Sequence, residues 1–234
     1  MTILVFPFAG MTASCGGRSR WAYRSTDAFP SKSQIIGMIC CALGWKRDDS
    51  RIQPLSDRLM VAVRADRAGV VCTDYQTVHG FMGDSHDRMR TANGGYRAAG
   101  AGLESHRDYL CDAAFLIAVT GPEEDLNMIY EALQNPADLL YLGRKACIPS
   151  IPIIPAFVEY DSMEDALAHV EYSKSFPCDG DVRMAEYDAR LVSPSSGTIV
   201  RRYDSVTDFK KRQFMERRAV RKPVKMSEVT YVFD

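Results

Sequence analysis

The sequence predicts an α+β fold whose main elements follow the order β-α-β-β-α-β. Two observations lead to it. Apolar runs alternate with segments whose apolar residues recur at helical spacing, and a long glycine-rich insert separates the second strand from the third. With 46% hydrophobic and 25% charged residues, the 234-residue chain can bury a substantial core in one large or two small domains.

The first strand and the first helix have clear signals. Residues 3–9 are apolar apart from Pro7, which predicts a sheet edge or a bulge at that point. Pro30 closes the next loop, Ser31 or Ser33 is a good N-cap, and apolar residues then recur at helical spacing. Gly44 is placed to stop this helix.

The remaining core elements follow in order. Residues 59–65 and 112–119 are the second and third strands, and a helix with acids in its first turn runs from Pro122 to about Gln134. Residues 151–160 supply a fourth strand, made irregular by two prolines. Residues 1–160 are therefore predicted to form a ferredoxin-like (RRM-like) βαββαβ core, and residues 161–234 a small, partly β C-terminal extension.

The insert spans residues 73–108 and holds six glycines and three of the four histidines. Its ends, residues 75–80 and 107–112, are predicted to pair as the legs of a long β-hairpin. A long insert without clear periodicity usually has a function or is mobile. The spacings of seven and twenty residues between His79, His86 and His106 match no common ligand motif, so neither a metal nor another cofactor is expected.

Charge is unevenly distributed in a chain of formal net charge −1. Residues 201–225 carry ten Lys or Arg against three acids, residues 18–51 carry seven against three, and residues 157–190 carry nine acids against three bases. This pattern suits a protein with a polyanion on one side and protein neighbours on another, although solvated faces can look the same.

The expected compartment is the cytoplasm. No apolar run is long enough to span a membrane, and the N-terminus lacks the basic start of a signal peptide. The seven cysteines show no Cys-x-x-Cys motif, which favours reduced cysteines.

The start of the first helix is the most informative local feature. Exposed amides at a helix start attract anions, and Lys32 adds a full positive charge beside them. The alternative is an ordinary capped core helix, since every helix has such a start. Taken alone, the segment is only a hint of phosphate binding.

Five segments in order carry a family resemblance. They are Phe29-Pro-Ser-Lys-Ser with Gly37, Leu43-Gly44 and Arg47-Asp-Asp49; Asp74-Tyr-Gln-Thr-Val-His-Gly80; Arg107-Asp-Tyr-Leu-Cys-Asp-Ala-Ala-Phe115; Tyr141-Leu-Gly-Arg-Lys-Ala-Cys147; and Arg212-Gln-Phe with Arg217. Across nearly the whole chain, the sequence resembles the Cas family-five subunits of Cascade, the type I-E CRISPR surveillance complex. That family belongs to the RAMP superfamily, whose ferredoxin-like core agrees with the predicted element order.

The resemblance implies a non-catalytic binding role. Such subunits hold the 5′ handle of the CRISPR RNA, cap the backbone of the complex, and contact the neighbouring backbone subunit and the large subunit. Such subunits contact target DNA only indirectly. The hairpin insert would be the thumb that helps kink the guide RNA, and the loop at Pro30 to Gln34 and the turn at Gly143 to Lys145 would lie near the handle.

The predicted RNA-binding residues combine the resemblance with the chemistry that splayed RNA needs. Cations and amides suit phosphates, and aromatic faces and hydrogen-bonding groups suit bases. The tyrosines could instead be core or sheet-face residues, and the basic C-terminal residues, which have helical spacing, could lie on a solvated or subunit-facing helix. The full set is Pro30, Ser31, Lys32, Ser33, Gln34, Tyr75, His79, Arg107, Tyr109, Tyr141, Gly143, Arg144, Lys145, Arg212, Gln213 and Arg217, with Trp21 as a further aromatic candidate.

An endoribonuclease that cuts CRISPR repeat RNA is the alternative, because relatives in type I-C systems have that activity. Metal-free cleavage needs a base, an acid and a cation, and these could come from Tyr75, His79, His106 and Arg107. The sequence lacks the Lys-His pair that those enzymes use. A third possibility is an RNA-binding domain unrelated to CRISPR, which would require all five matches to be accidental.

Overall fold

The computed structural model describes residues 1–16, 22–79, 90–91, 93–98 and 102–233. Its strands are β1 (Thr2–Ala13), β2 (Tyr23–Arg24), β3 (Met60–Arg67), β4 (Val70–His79), β5 (Gly102–Thr120), β6 (Ala156–Glu159), β7 (Val170–Glu171), β8 (Val182–Asp188), β9 (Thr198–Asp208), β10 (Gln213–Lys225) and β11 (Thr230–Tyr231). The α-helices within these ranges are α1 (Lys32–Ala42), α2 (Ile52–Arg58), α3 (Glu123–Gln134) and α4 (Met163–His169).

A nine-stranded sheet organises this mixed α/β chain. Seven of its strands follow the order β6-β1-β5-β3-β8-β10-β9, while β2 and β4 pair with other parts of the long strand β5. All of these pairs are antiparallel except β2 with β5, and β7 and β11 form a separate parallel pair.

Side chains of alternate residues in β1 point into two different cores. Phe6 and Phe8 belong to the cluster that packs against α1, α2 and α3. Ile3 and Val5 belong to a second cluster on the opposite face, together with α4. This alternation follows from the two-residue period of a strand, and it places helices on both faces of the sheet.

The predicted first helix is confirmed, together with its cap. Ser31 is the N-cap, because its side chain accepts a hydrogen bond from the Gln34 backbone N–H at 3.2 Å. The helix ends before Gly44, whose φ of +70° is a left-handed conformation that glycine adopts without strain. Pro7 lies beyond the stretch of β1 that pairs with β6, which covers only Thr2–Val5, and this agrees with the predicted edge position.

Four predicted core elements are present with shifted bounds. Residues 60–65 of the predicted second strand fall in β3, residues 112–119 fall in β5, and the second predicted helix is α3. The irregular fourth strand shortens to β6, with turns and extended chain before it. Helix α2 was not predicted, since its seven residues are too few for a periodic signal.

The C-terminal third, predicted to be a small, partly β extension, contributes the three strands β8, β9 and β10 to the central sheet. Strand β8 pairs with β3 and β10, and β10 pairs with β9. Within the described ranges, no helix is both long and apolar enough to cross a membrane.

The ends of the insert pair as a hairpin of β4 and the first part of β5. The register places Tyr75 opposite His106 and His79 opposite Gly102. Nearly all of β4 is exposed, so this hairpin projects from the sheet. Gly80, Gly83, His86 and Gly100 lie outside the described residues.

Candidate nucleic-acid interface

A cleft of about 1410 Å³ opens where three distant parts of the chain meet. One wall is the loop and first turn of α1, the second is the turn at residues 141–144, and the third is the β9–β10 hairpin. Seven predicted site residues line it, namely Ser31, Ser33, Gln34, Tyr141, Gly143, Arg144 and Arg212. The fold therefore brings together segments that are far apart in sequence.

The cleft lining is strongly cationic. Its charged residues are Arg24, Lys46, Arg47, Arg144, Arg201, Arg202, Arg212 and Arg221 against Asp27, Asp138 and Asp204. Lys46, Arg47 and Arg212 are exposed to solvent, and the Arg201 side chain is 72% exposed. A concave surface with this excess of positive charge concentrates anions, and nucleic acid is the polyanion that it suits best.

Partly buried ion pairs and hydrogen bonds hold the β9–β10 hairpin against the start of α1. Arg202 Nη1 lies 3.0 Å from Asp27 Oδ2, and Arg202 Nη2 donates to the Phe29 carbonyl oxygen at 2.9 Å. Arg217 donates two hydrogen bonds to the Asp204 carboxylate, at 2.9 and 2.8 Å. Asp204 Oδ2 also accepts from the Lys32 backbone N–H at 2.8 Å. The position of this cleft wall is therefore fixed by charge-assisted hydrogen bonds.

The turn at residues 141–144 packs closely against the end of β1. Gly143 has φ of +93°, and a Cβ at this position would clash with the Ser14 carbonyl oxygen. The adjacent Arg144 places its guanidinium 4.5 Å from the centre of the Tyr109 ring and donates to the Arg24 carbonyl oxygen at 2.9 Å. Glycine is thus required for the close approach that positions Arg144.

Among the described residues, four buried atoms of cleft-lining side chains lack a hydrogen-bond partner: both amide atoms of Gln34, Nη1 of Arg144, and Nε of Arg202, which is ion-paired with Glu186 at 3.1 Å. The amide nitrogen of Gln34 lies beside Gly143, the residue that precedes Arg144. Buried polar groups are nearly always paired in native proteins, and an unpaired one costs about 1–3 kcal/mol. A ligand that offers both donors and acceptors would satisfy the unpaired atoms of Gln34 and Arg144.

The family model for CRISPR-associated protein (Cas_Cas5) matches residues 3–220. The chain belongs to the Cas5 family. It is 30% identical over 193 residues to the Escherichia coli (strain K12) protein named CRISPR system Cascade subunit CasD, covering 78% of this chain and 81% of that relative.

Two solved structures support the Cas5 assignment at the level of the fold. A chain of a structure titled CRISPR RNA-guided surveillance complex has a TM-score of 0.74 and 28% identity, covering 96% of this chain and 90% of that one. A chain titled Crystal structure of Cas protein has a TM-score of 0.69 and 26% identity, covering 98% of both.

In this Cas5-family chain, the Lys32 side chain is not placed to contact a phosphate, contrary to the prediction. Its side chain is buried, and Nζ donates to the Leu59 carbonyl oxygen at 2.8 Å. The helix start is also occupied by an anion of the protein itself, the Asp204 carboxylate. The predicted contact is therefore wrong for Lys32, because the sequence does not reveal a carboxylate 172 residues away.

The helical spacing predicted for the C-terminal basic residues is wrong as well. Gln213 begins strand β10, and Arg217 lies within that strand, tied to Asp204 and only 12% exposed. Arg217 is a structural ion-pair residue rather than a free RNA contact. Arg212 precedes the strand with φ of +54° and lines the cleft.

The other predicted site residues divide between the cleft margin and the hairpin. Tyr109 touches Arg144 and thereby joins the hairpin root to the cleft, whereas Tyr75, His79 and Arg107 lie along the hairpin and do not line the cleft. Pro30 is buried, and Lys145 is exposed outside the cleft lining. Trp21 lies outside the described residues.

The groups considered for RNA cleavage are only partly assembled. Tyr75 and His106 have ring centres 5.0 Å apart, and Arg107 follows His106 in β5. His79 lies four residues along β4, about 13 Å from Tyr75 at the usual rise of a strand.

Sequence reasoning missed several lining residues, including Arg24, Lys46, Arg47, Arg201 and Tyr203. All five lie in the two basic blocks of the sequence, so the charge pattern contained a signal for them. Their convergence could not be found locally, because it depends on the return of β9 to α1.

Proposed function

We propose that this chain is a non-catalytic subunit of a type I-E CRISPR RNA-guided surveillance complex, and that its cationic cleft binds the 5′ handle of the CRISPR RNA. The observation that carries the proposal is this cleft, with unpaired atoms of Gln34 and Arg144 on its floor, in a Cas5-family chain. Single-stranded RNA needs a groove that neutralises phosphates and groups that contact splayed bases. The cleft offers both.

We also propose the division of the chain that the resemblance implies: a ferredoxin-like core at residues 1–160, a thumb at 73–108, and an extension at 161–234. The strand order β6-β1-β5-β3, with α1 after β1 and α3 after β5, supports the ferredoxin-like core. The projecting β4–β5 hairpin supports the thumb, which would reach the neighbouring backbone subunit and help kink the guide.

Membership of such a complex sets the remaining expectations. The chain caps the backbone, contacts the neighbouring backbone and large subunits, meets target DNA only indirectly, and works in the cytoplasm. The name of the Escherichia coli relative links that protein to Cascade, and this supports the proposed partners.

Handle binding is tested by the salt dependence of affinity. Arg47→Ala and Arg212→Ala each remove an exposed cation from the cleft lining. Each should weaken binding of handle RNA and reduce the slope of log affinity against log salt by about 0.7 for each phosphate that the variant no longer neutralises. Lys225→Ala, at an exposed lysine outside the cleft lining, is the matched control.

The cleft assignment fails if both cleft variants match Lys225→Ala at every salt concentration. The non-catalytic assignment predicts that purified protein leaves repeat RNA intact with and without EDTA. Cutting at one repeat position, abolished by His106→Ala, would support the endoribonuclease instead.

A further inference from the structure

Three rings form a row at the root of the β4–β5 hairpin, outside the cleft. The strand register aligns Tyr23 of β2 with His106 of β5, and His106 with Tyr75 of β4. The Tyr23 and His106 rings are stacked, with centres 4.7 Å apart and planes 4° from parallel. The Tyr75 ring continues the row at 5.0 Å from His106.

Two of these rings are largely open to solvent. Tyr23 is 63% exposed and Tyr75 is 53% exposed, while His106 between them is half-buried. Among the residues that the structure describes, each tyrosine has only His106 as a ring neighbour in the row, so within that part of the chain the outer face of Tyr23 is open to another flat ring. Offset or stacked arrangements are the geometry that aromatic rings prefer.

We propose that Tyr23, His106 and Tyr75 form a stacking platform on which one unstacked base of bound RNA extends the row at Tyr23. This inference rests on the proposed function, and it adds a binding site that includes Tyr23, which the sequence did not indicate. Aromatic faces accept any base, because every base presents a π-face.

The position of the row favours the Tyr23 end as the place for an RNA base. Arg24 follows Tyr23 in β2 and lines the cleft, and successive side chains of a strand point to opposite faces, so the cleft and the row lie on the two sides of this short strand. An RNA strand that leaves the cleft and passes around β2 could place its next base on Tyr23. At the other end, partial burial and the Glu104 carboxylate raise the pKa of Tyr75, and that carboxylate would repel a phosphate.

The test is a double-mutant cycle between protein and RNA, using the full chain and resynthesised handle RNA with one abasic nucleotide at each position in turn. Wild type should lose about 5-fold to about 150-fold in affinity at one abasic position, the range for one stacked base. Tyr23→Ala should show the same loss with intact RNA and no further loss at that position. Tyr23→Phe should behave as wild type.

Tyr231→Ala is the matched control, since Tyr231 is a 40% exposed tyrosine in the separate β7–β11 pair. It should leave every abasic penalty unchanged. Because stacking releases no counterions, Tyr23→Ala should also leave the salt slope unchanged.

The outcomes separate this inference from the proposed function. A wild-type chain that does not bind handle RNA overturns the proposed function. A wild-type chain that binds, with no abasic position coupled to Tyr23, overturns the platform alone. A Tyr23→Ala variant that binds RNA normally but fails to assemble with partner subunits also overturns it, because the row is then a protein contact.

Discussion

Burial determines the behaviour of Lys32. The residue is 3% exposed, and loss of solvation, followed by the nearby Arg190 charge, lowers its pKa to about 8. Its ammonium group donates to the Leu59 carbonyl oxygen, which also accepts a hydrogen bond from Arg190 at 3.0 Å. Removing the lysine therefore leaves that carbonyl oxygen paired.

Lys32→Met tests this description through the pH dependence of stability. The folded pKa of about 8 lies below the value of 10.5 for an unperturbed lysine, so the unfolded state holds the proton more tightly between these limits. The free-energy cost of holding a charged Lys32 in the folded wild-type protein is full below pH 8. This cost disappears as the pH rises towards 10.5. The free energy of unfolding of the variant minus that of wild type should therefore fall by up to roughly 3 kcal/mol over this interval.

Urea unfolding of both proteins at pH 7, 9 and 10.5 measures this difference. A difference that is constant with pH would show that Lys32 is not a buried, destabilised cation. The same variant should bind handle RNA with an unchanged salt slope, because a buried ammonium displaces no counterion.

At the scale of elements, Asp204 is one of the residues that attach the β9–β10 hairpin to the start of α1. This carboxylate is 2% exposed and bonds both Arg217 and the Lys32 backbone N–H. Asp204→Ala should lower the free energy of unfolding by about 3–5 kcal/mol, because it leaves the Arg217 charge without its closest partner. Asp208→Ala in the same hairpin should lower the free energy of unfolding much less, since its contact with Lys211 lies near the surface.

Denaturant unfolding compares the stabilities of the two variants. Their affinities for RNA are compared at a temperature at which both variants are folded. Asp204→Ala should also weaken handle binding, because one cleft wall loses its anchor. Equal stability of the two variants would contradict the anchoring role of Asp204.

The β4–β5 hairpin is expected to contribute little to the stability of the core, because nearly all of β4 is exposed. Replacing residues 80–101 by Asn-Gly joins His79 directly to its partner Gly102 through a two-residue turn. The thermal midpoint of the isolated protein should change little, whereas assembly of the guide-loaded complex should be impaired. Thermal unfolding and co-purification measure the two effects. A large loss of thermal stability would place this segment in the core.

Local sequence signals predicted the elements that are stabilised by local interactions. The Ser31 cap, the Gly44 stop and the acids that begin α3 each act within one helical turn, so they can be read without the rest of the chain. The pairing of Asp204 with the start of α1 spans 172 residues and leaves no local pattern. The cleft residues from α1 and the Gly143 turn were expected from the family resemblance, whereas no local signal revealed the role of Arg217.

At the scale of the whole molecule, positive charge is concentrated in the cleft although the net charge of the chain is small. The cleft lining carries eight cations and three acids among the described residues, although the chain as a whole has a formal net charge of −1. Its walls come from residues near positions 14–52, 138–144 and 200–221, so the cationic surface exists only in the folded chain. We therefore expect handle binding to disappear together with tertiary structure rather than to persist in basic peptides.

Ultraviolet cross-linking of guide RNA within the assembled complex tests the central claim most directly. Mass spectrometry of the peptide–nucleotide adducts would identify which side chains touch the handle. We predict adducts of handle nucleotides with Tyr141 and Tyr203, the two tyrosines that line the cleft in the described part of the chain. Handle adducts confined to other surfaces, such as Tyr231 of β11, would show that the handle binds elsewhere and would contradict the cleft assignment.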